Sequence, residues 1–416
     1  MNQVNYFKRN IILLQILSAL KGFVFFYTVI YILFLQVYID SFTQISILLI
    51  MPIVVSLLFQ YPTGIFADKF GRVTAIKIGF LCYGFCLLLF LLTTSFMGLA
   101  VALIFFTLGH SFISGSEESL LFESLRKIDL EVKFDYYLAR LNIYFVGVGI
   151  ITNFLAPYLF SINILYPFFV SFIFLIFTFS LSFLLKETLY WNNCLENLTI
   201  NKKKSLNYFF FDMNLLLNPF KKPFLIIISS SYFIFLLFFS ILFSSLIGVF
   251  GDLFNQPLIN LRFGLELYGI IFALATVVQT ALLYFTDKYF SFFKEKIYLA
   301  LILIWLLNLY LTLIMNWQFV IFSMGIMWLV GSLTYILVSK KIQNLVKDDS
   351  KRASVHSLFM TINSFFTIIV LYVSGLLIDS SSLITSLIYI SSFIFFLIFL
   401  VMVLFTFLIY KSQVEY

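Results

Sequence analysis

Five polar side chains stand where the surrounding sequence is otherwise apolar: Lys21, His110, Ser114, Glu117 and Glu118. On a helix His110, Ser114 and Glu117 are spaced i, i+4, i+7 and share one face, with Ser111 and Glu118 on the adjacent stripe. A histidine titrates near neutrality and burial makes a glutamate hold its proton more tightly, so both types can change charge reversibly. That chemistry is proton exchange and hydrogen bonding to a polar molecule, not bond cleavage. Glu117 lies about two turns, roughly 10 Å, from His110 along such a helix. A lysine at the depth of Lys21 that reaches in the same direction approaches it. Plainer readings stand beside this one. Lys21 can snorkel to the interface, His110 can be a neutral packing residue, and Glu117 and Glu118 can be held by Arg126 and Lys127 below them. Asn153, Gln279, Asn308 and Asn363 are expected to join helices to one another, and Trp328, Ser332 and Tyr335 suit a cavity wall.

The usual catalytic patterns are missing from the sequence. There is no G-x-x-x-x-G-K-[ST] phosphate cradle and no H-E-x-x-H, and the two histidines are far apart. Cys82 and Cys86, at i, i+4, and Cys194 read as small structural residues rather than a disulfide or metal site. No enzyme activity, cofactor or metal is expected. The Asn197-Leu198-Thr199 sequon is expected to remain unmodified.

The elements that must hold these groups follow from composition. The chain has 416 residues, 62% hydrophobic and 11% charged, with a mean hydropathy of +1.07. A soluble domain carries about 25% charged residues. Apolar runs long enough to cross a bilayer fall at about 11–35, 44–66, 75–93, 96–122, 137–160, 164–185, 224–250, 266–286, 297–315, 318–339, 355–378 and 384–410. They are apolar on all faces instead of at every second residue, which excludes a barrel and predicts an all-α polytopic membrane protein with twelve spanning helices. The first run is too long for a signal peptide.

Of the 26 Lys and Arg, 24 fall at the two termini and in the connections that follow even-numbered runs. The positive-inside rule then predicts both termini in the cytoplasm of a multi-pass cell-membrane protein. The net charge of +7 thus reports orientation toward anionic lipid and gives no reason to expect nucleic acid. The two exceptions are Lys21, inside the first run, and Arg262, placed in an extracellular connection at about 251–265 with Glu266 as its expected partner. The longest polar stretch, 186–223, divides the chain into six-run halves, 1–185 and 224–416. Ala67-Asp68-Lys69-Phe70 after the second run is echoed by Thr286-Asp287-Lys288-Tyr289 after the eighth, as parallel repeats predict.

Residues 62–73 read PTGIFADKFGRV. Gly64 and Gly71 suit close backbone approach and a tight turn, and Asp68 is flanked by Lys69 and Arg72. This stretch resembles the loop between helices 2 and 3 of the major facilitator superfamily, G-x-x-x-A/D-D-x-x-G-R-K/R, with Gly64, Asp68, Gly71 and Arg72 on the pattern and Val73 departing from it. SGSEESLLFESL at 114–125 and KRASVHSLF at 351–359 resemble segments of a bacterial, drug-efflux-like branch.

The resemblance implies two pseudo-symmetric six-helix halves that alternate access to the two sides, with Asp68 and Arg72 acting as a gating latch. It also implies that the first and fourth helices line one cavity, bringing Lys21 to the polar stripe as a substrate- and proton-binding site. Proton-coupled export of a small amphipathic compound by a monomer is the expectation it carries. Import of a small solute, with Lys21 as the counter-charge for an anionic one, is the close alternative, and a non-transporting receptor or immunity protein on the same scaffold is another. The missing arginine in the fourth helix and the sparse glycines around Ala156-Pro157 depart from the proton-antiporter pattern.

Overall fold

A computed structural model describes residues 3–188, 231–289, 297–345 and 349–414. The described residues are helical nearly throughout: α1 Gln3–Val24, α2 Tyr31–Tyr38, α3 Phe42–Phe70, α4 Arg72–Leu92, α5 Phe96–Arg126, α6 Phe134–Ile162, α7 Tyr166–Ser182, α8 Ser231–Val249, α9 Asn255–Tyr289, α10 Ile297–Ile314, α11 Trp317–Leu345, α12 Asp349–Ser380 and α13 Leu383–Val414. Nine helical stretches among them are long and apolar enough to cross a membrane, and Tyr166–Ser182 and Leu303–Ile314 are shorter apolar helices. With no water in the hydrocarbon to bind backbone groups, each span must satisfy its own, and a helix does so locally.

Two spans depart from the sequence expectation. The first is broken into α1 and α2 by turns at Phe25–Tyr27 and a 3-10 helix at Thr28–Ile30. Aromatic and β-branched residues fill this stretch, and they are weak helix formers. The Thr28 hydroxyl and N–H both donate to the Phe25 carbonyl, at 2.8 and 3.0 Å, and the Tyr268 hydroxyl donates to the carbonyl of Val29 at 2.5 Å. The second departure corrects the extracellular connection expected at 251–265. The helix runs on through a π turn, Phe250–Phe254, into α9, and turns only at Gly264, whose φ of 69° is left-handed. Pro257 and Asn255 alone do not stop it, because a proline in the first turn of α9 needs no N–H donor. Arg262 there lies over the Phe263 ring at 4.8 Å.

The chain divides into two compact units. The first holds the described residues up to Thr188 together with Ile259–Ala273, and the second holds Ser231–Leu258 and the described residues from Leu274 onward. In the first, α4 and α5 pack closely where Gly79 faces Gly109: a Cβ on Gly79 would stand 2.8 Å from the Gly109 carbonyl and 2.4 Å from Ile113, and one on Gly109 would stand 2.8 Å from the Gly79 carbonyl. Helices in lipid gain mainly by van der Waals contact, so small residues at a crossing carry the association. Gly79→Ala is therefore expected to lower stability by about 1–3 kcal/mol. Gly84→Ala, on the same helix but meeting only a Leu175 methyl at 3.6 Å, is expected to leave the melting temperature of the purified protein unchanged. In the second unit Phe239 stacks on Phe235 and Phe243, and Trp305 of α10 meets Phe243 and Phe250 edge-on. Asn363 donates to Ser240 at 2.9 Å and Gln279 to Ser332 at 3.2 Å, joining helices as expected, whereas Asn308 bonds back to Ile304 of its own helix.

Candidate functional site

Lys21 occupies the last turn of α1, just before the break, where the unpaired carbonyls of a helix end favour a cation. Its ammonium pairs with a carboxylate oxygen of Glu117 on α5, 96 residues away. The side chains are 14% and 9% exposed, so the pair is shielded from solvent. This corrects the reading in which Arg126 and Lys127 hold Glu117, because the buried carboxylate turns inward to the lysine. The second oxygen of Glu117 is buried and has no hydrogen-bond partner among the described residues, and neither does the Ser111 hydroxyl. His110 is exposed and lies within electrostatic reach of both Lys21 and Glu117. Ser114 is half-buried and Glu118 exposed on the neighbouring stripe. Beside them Phe25, at the break, packs edge-on against Tyr83, Phe106 and Phe145. The helix 1 break and the ion pair thus adjoin within one unit, with the histidine in electrostatic reach of both charges. A shielded charge pair next to unpaired hydrogen-bonding atoms is chemically suited to bind a polar group and pass a proton.

The motif at 62–73 lies at the cation-rich end of the same unit. Gly71 separates α3 from α4 with φ 102°, a conformation side chains resist. Arg72 pairs with Asp68 at 2.6 Å and reaches Glu123 at 3.7 Å. Gly64 differs from the expectation of close approach: nothing lies within 4 Å of a Cβ placed there.

Glu187 was absent from the residues singled out by sequence, yet it organises this end. Its two oxygens accept from the backbone N–H groups of Arg72 and Val73 at 2.6 and 2.9 Å, capping the positive end of α4. Burial pushes the Glu187 carboxyl above the ordinary glutamate range, and the two backbone donors pull it back only in part. Around it Asn10 donates to the Lys186 carbonyl and accepts from the Lys186 N–H, at 2.8 and 3.0 Å. Arg9 donates to the Leu184 carbonyl at 2.9 Å, and Thr188 donates to Glu123. The segment after α7 is thereby tied across α1, α4 and α5. An acid directly after the sixth apolar run, in a segment otherwise rich in cations, was the available signal. The echoed Thr286–Tyr289, Tyr335, Cys194, the Asn197 sequon and all of the 186–223 linker beyond Thr188 lie outside the residues whose side chains are described.

Solved structures resemble this arrangement over nearly its whole length. A nucleoside transporter, NupG, matches with a TM-score of 0.74 at 15% identity, covering 95% of this chain and 99% of its own. PepTSo, a POT family transporter, gives 0.68 at 11% identity over 98% and 99% of the two chains, and a D-xylose-proton symporter gives 0.66 at 10% over 94% and 96%. The chain has the major facilitator fold. Neither a protein-family profile nor any curated protein matches the sequence. Within this facilitator fold, Lys21 and Glu117 stand on the first and fourth spans, the two that the sequence resemblance assigns to a shared cavity.

Proposed function

We propose that the chain is a proton-linked secondary transporter that moves a small polar solute across the cell membrane by alternating access, with both termini cytoplasmic and the halves 1–185 and 224–416 moving about the 186–223 linker. One observation carries this: the shielded Lys21–Glu117 pair, with an unpartnered glutamate oxygen and with His110 in electrostatic reach of both charges. A proton on Glu117 releases Lys21, and a solute that bonds to the freed groups couples its own binding to that proton. The structural neighbours include a nucleoside transporter and a D-xylose-proton symporter, which supports solute uptake over expulsion of an amphipathic drug. Asp68 and Arg72 serve as the gating latch.

The deciding measurement is a transport panel in cells lacking the protein and cells supplied with it, using labelled nucleosides and pentoses for uptake and a fluorescent amphipathic cation for export. Uptake that a protonophore abolishes, and that Glu117→Gln loses while remaining in the membrane, is the expected result. Protonophore-sensitive expulsion of the cation would reverse the direction. No movement of any probe would favour the receptor reading, and normal transport by Glu117→Gln would end the role of the pair.

A further inference from the structure

Asp252 is an acidic group that the Lys21–Glu117 site does not use. It lies inside Leu237–Leu282, a helical stretch of membrane-type composition, and residues 231–261 contain no other Asp, Glu, Lys, Arg or His. The helix widens to a π turn at Phe250–Phe254, an irregularity that recurs at functional sites in α-helices. The turn is sided. Phe250, Leu253 and Phe254 are buried, with Phe250 against Trp305, while Gly251 meets nothing within 4 Å of a Cβ and Asp252 is exposed. On the open face of a helix of membrane-type composition little water is at hand to solvate a carboxylate, so its charged form is costly. Among the described residues no hydrogen bond or ion pair engages it.

The segments in contact with the π turn include α8, which runs into it, and α13, with Trp305 contributed by α10. Over 231–249, 383–410 and 297–314 these segments hold no Asp, Glu, Lys, Arg or His, and their titratable groups are Tyr232, Tyr298, Tyr310, Tyr389 and Tyr410. No counter-charge therefore faces Asp252 from them. Three residues on, Asn255 is buried with its amide oxygen unpartnered. The turn thus presents two acceptor groups, the Asp252 carboxylate and the Asn255 amide oxygen, with no hydrogen-bond partner among the described residues.

We propose that Asp252 is a proton-binding carboxylate of the second unit, separate from the Lys21–Glu117 pair. The proton takes the place of the missing counter-charge. On release the carboxyl O–H bond breaks, the electron pair stays on the carboxylate oxygen, and water carries the proton away as hydronium. This rests on the membrane fold and the π turn, and it stands or falls independently of which solute is carried.

The test is labelling of the purified full-length protein with dicyclohexylcarbodiimide, which reacts with protonated carboxyls in apolar surroundings, with adducts located by peptide mass spectrometry as pH is raised. Glu131, exposed between α5 and α6, is the internal standard for a water-exposed carboxylate. Asp252 is expected to be labelled at neutral pH while Glu131 is not, with the adduct lost in Asp252→Asn, kept in Asp252→Glu and unchanged in Glu117→Gln. Labelling of Asp252 that follows Glu131 across pH, or none at neutral pH, would overturn the proposal, and that comparison needs no variant to fold.

Discussion

Lys21→Ala is expected to destabilise the purified protein by about 3–5 kcal/mol and to abolish gradient-driven transport, because it leaves the Glu117 charge buried without a partner. The cost comes from stranding one ion more than from losing an attraction. Replacing both partners with apolar residues of similar volume, Lys21→Met with Glu117→Leu, removes the stranded charge and is expected to recover most of the melting temperature. Transport should stay lost in the double variant. A double variant that transports would show that the pair serves packing alone. Glu117→Gln is milder, since the amide still offers a neutral acceptor to Lys21, and it isolates the proton from the fold.

Gly71→Ala should show the second largest effect, through two costs at one position. The backbone conformation at φ 102° costs a side chain about 1–3 kcal/mol. The new Cβ would also stand 2.8 Å from the Glu187 carboxyl carbon and displace the cap of α4. Glu187→Ala alone is expected to cost about 1–2 kcal/mol, the usual loss for an N-terminal cap. Since both changes remove the same contact, their combined cost in a double-mutant cycle should fall short of the sum. Additive costs would mean that Gly71 is strained without regard to Glu187. Acid titration adds a sign. Folded Glu187 holds its proton to higher pH than a free glutamate at 4.5, so its proton-linked stabilisation is complete below 4.5 and is lost as pH rises through the raised value. Glu187→Gln should flatten that part of the stability-versus-pH curve.

Much of the fold was readable because membrane insertion is a local demand. Each span must be apolar and must pair its own backbone groups, so most of the described helices begin and end within several residues of the apolar runs, the broken first span and the long α9 apart. The site was readable only as a set of candidates. His110, Ser114 and Glu117 were placed on one helix face by periodicity, but whether Glu117 turned to Lys21 or to Arg126 and Lys127 depended on how α1 lies against α5. Glu187 escaped notice because its role needs α4 to begin where the segment after α7 passes, 114 residues on from Val73. Asp252 fell within the connection expected at about 251–265, a stretch that holds the turn formers Gly251, Asn255 and Pro257. A helix packed on its neighbours tolerates them, and a π turn absorbs the extra residue.

The five polar side chains in an apolar chain therefore divide by cause. Their presence, their depth and the periodicity that groups three of them belong to the sequence, because hydropathy and helical spacing are properties of contiguous residues. The ion pair, the unpartnered oxygen beside it and the break that ends α1 just after Lys21 belong to the tertiary structure. A buried charge takes the partner that packing brings within a few ångströms, and no local pattern states which one that is.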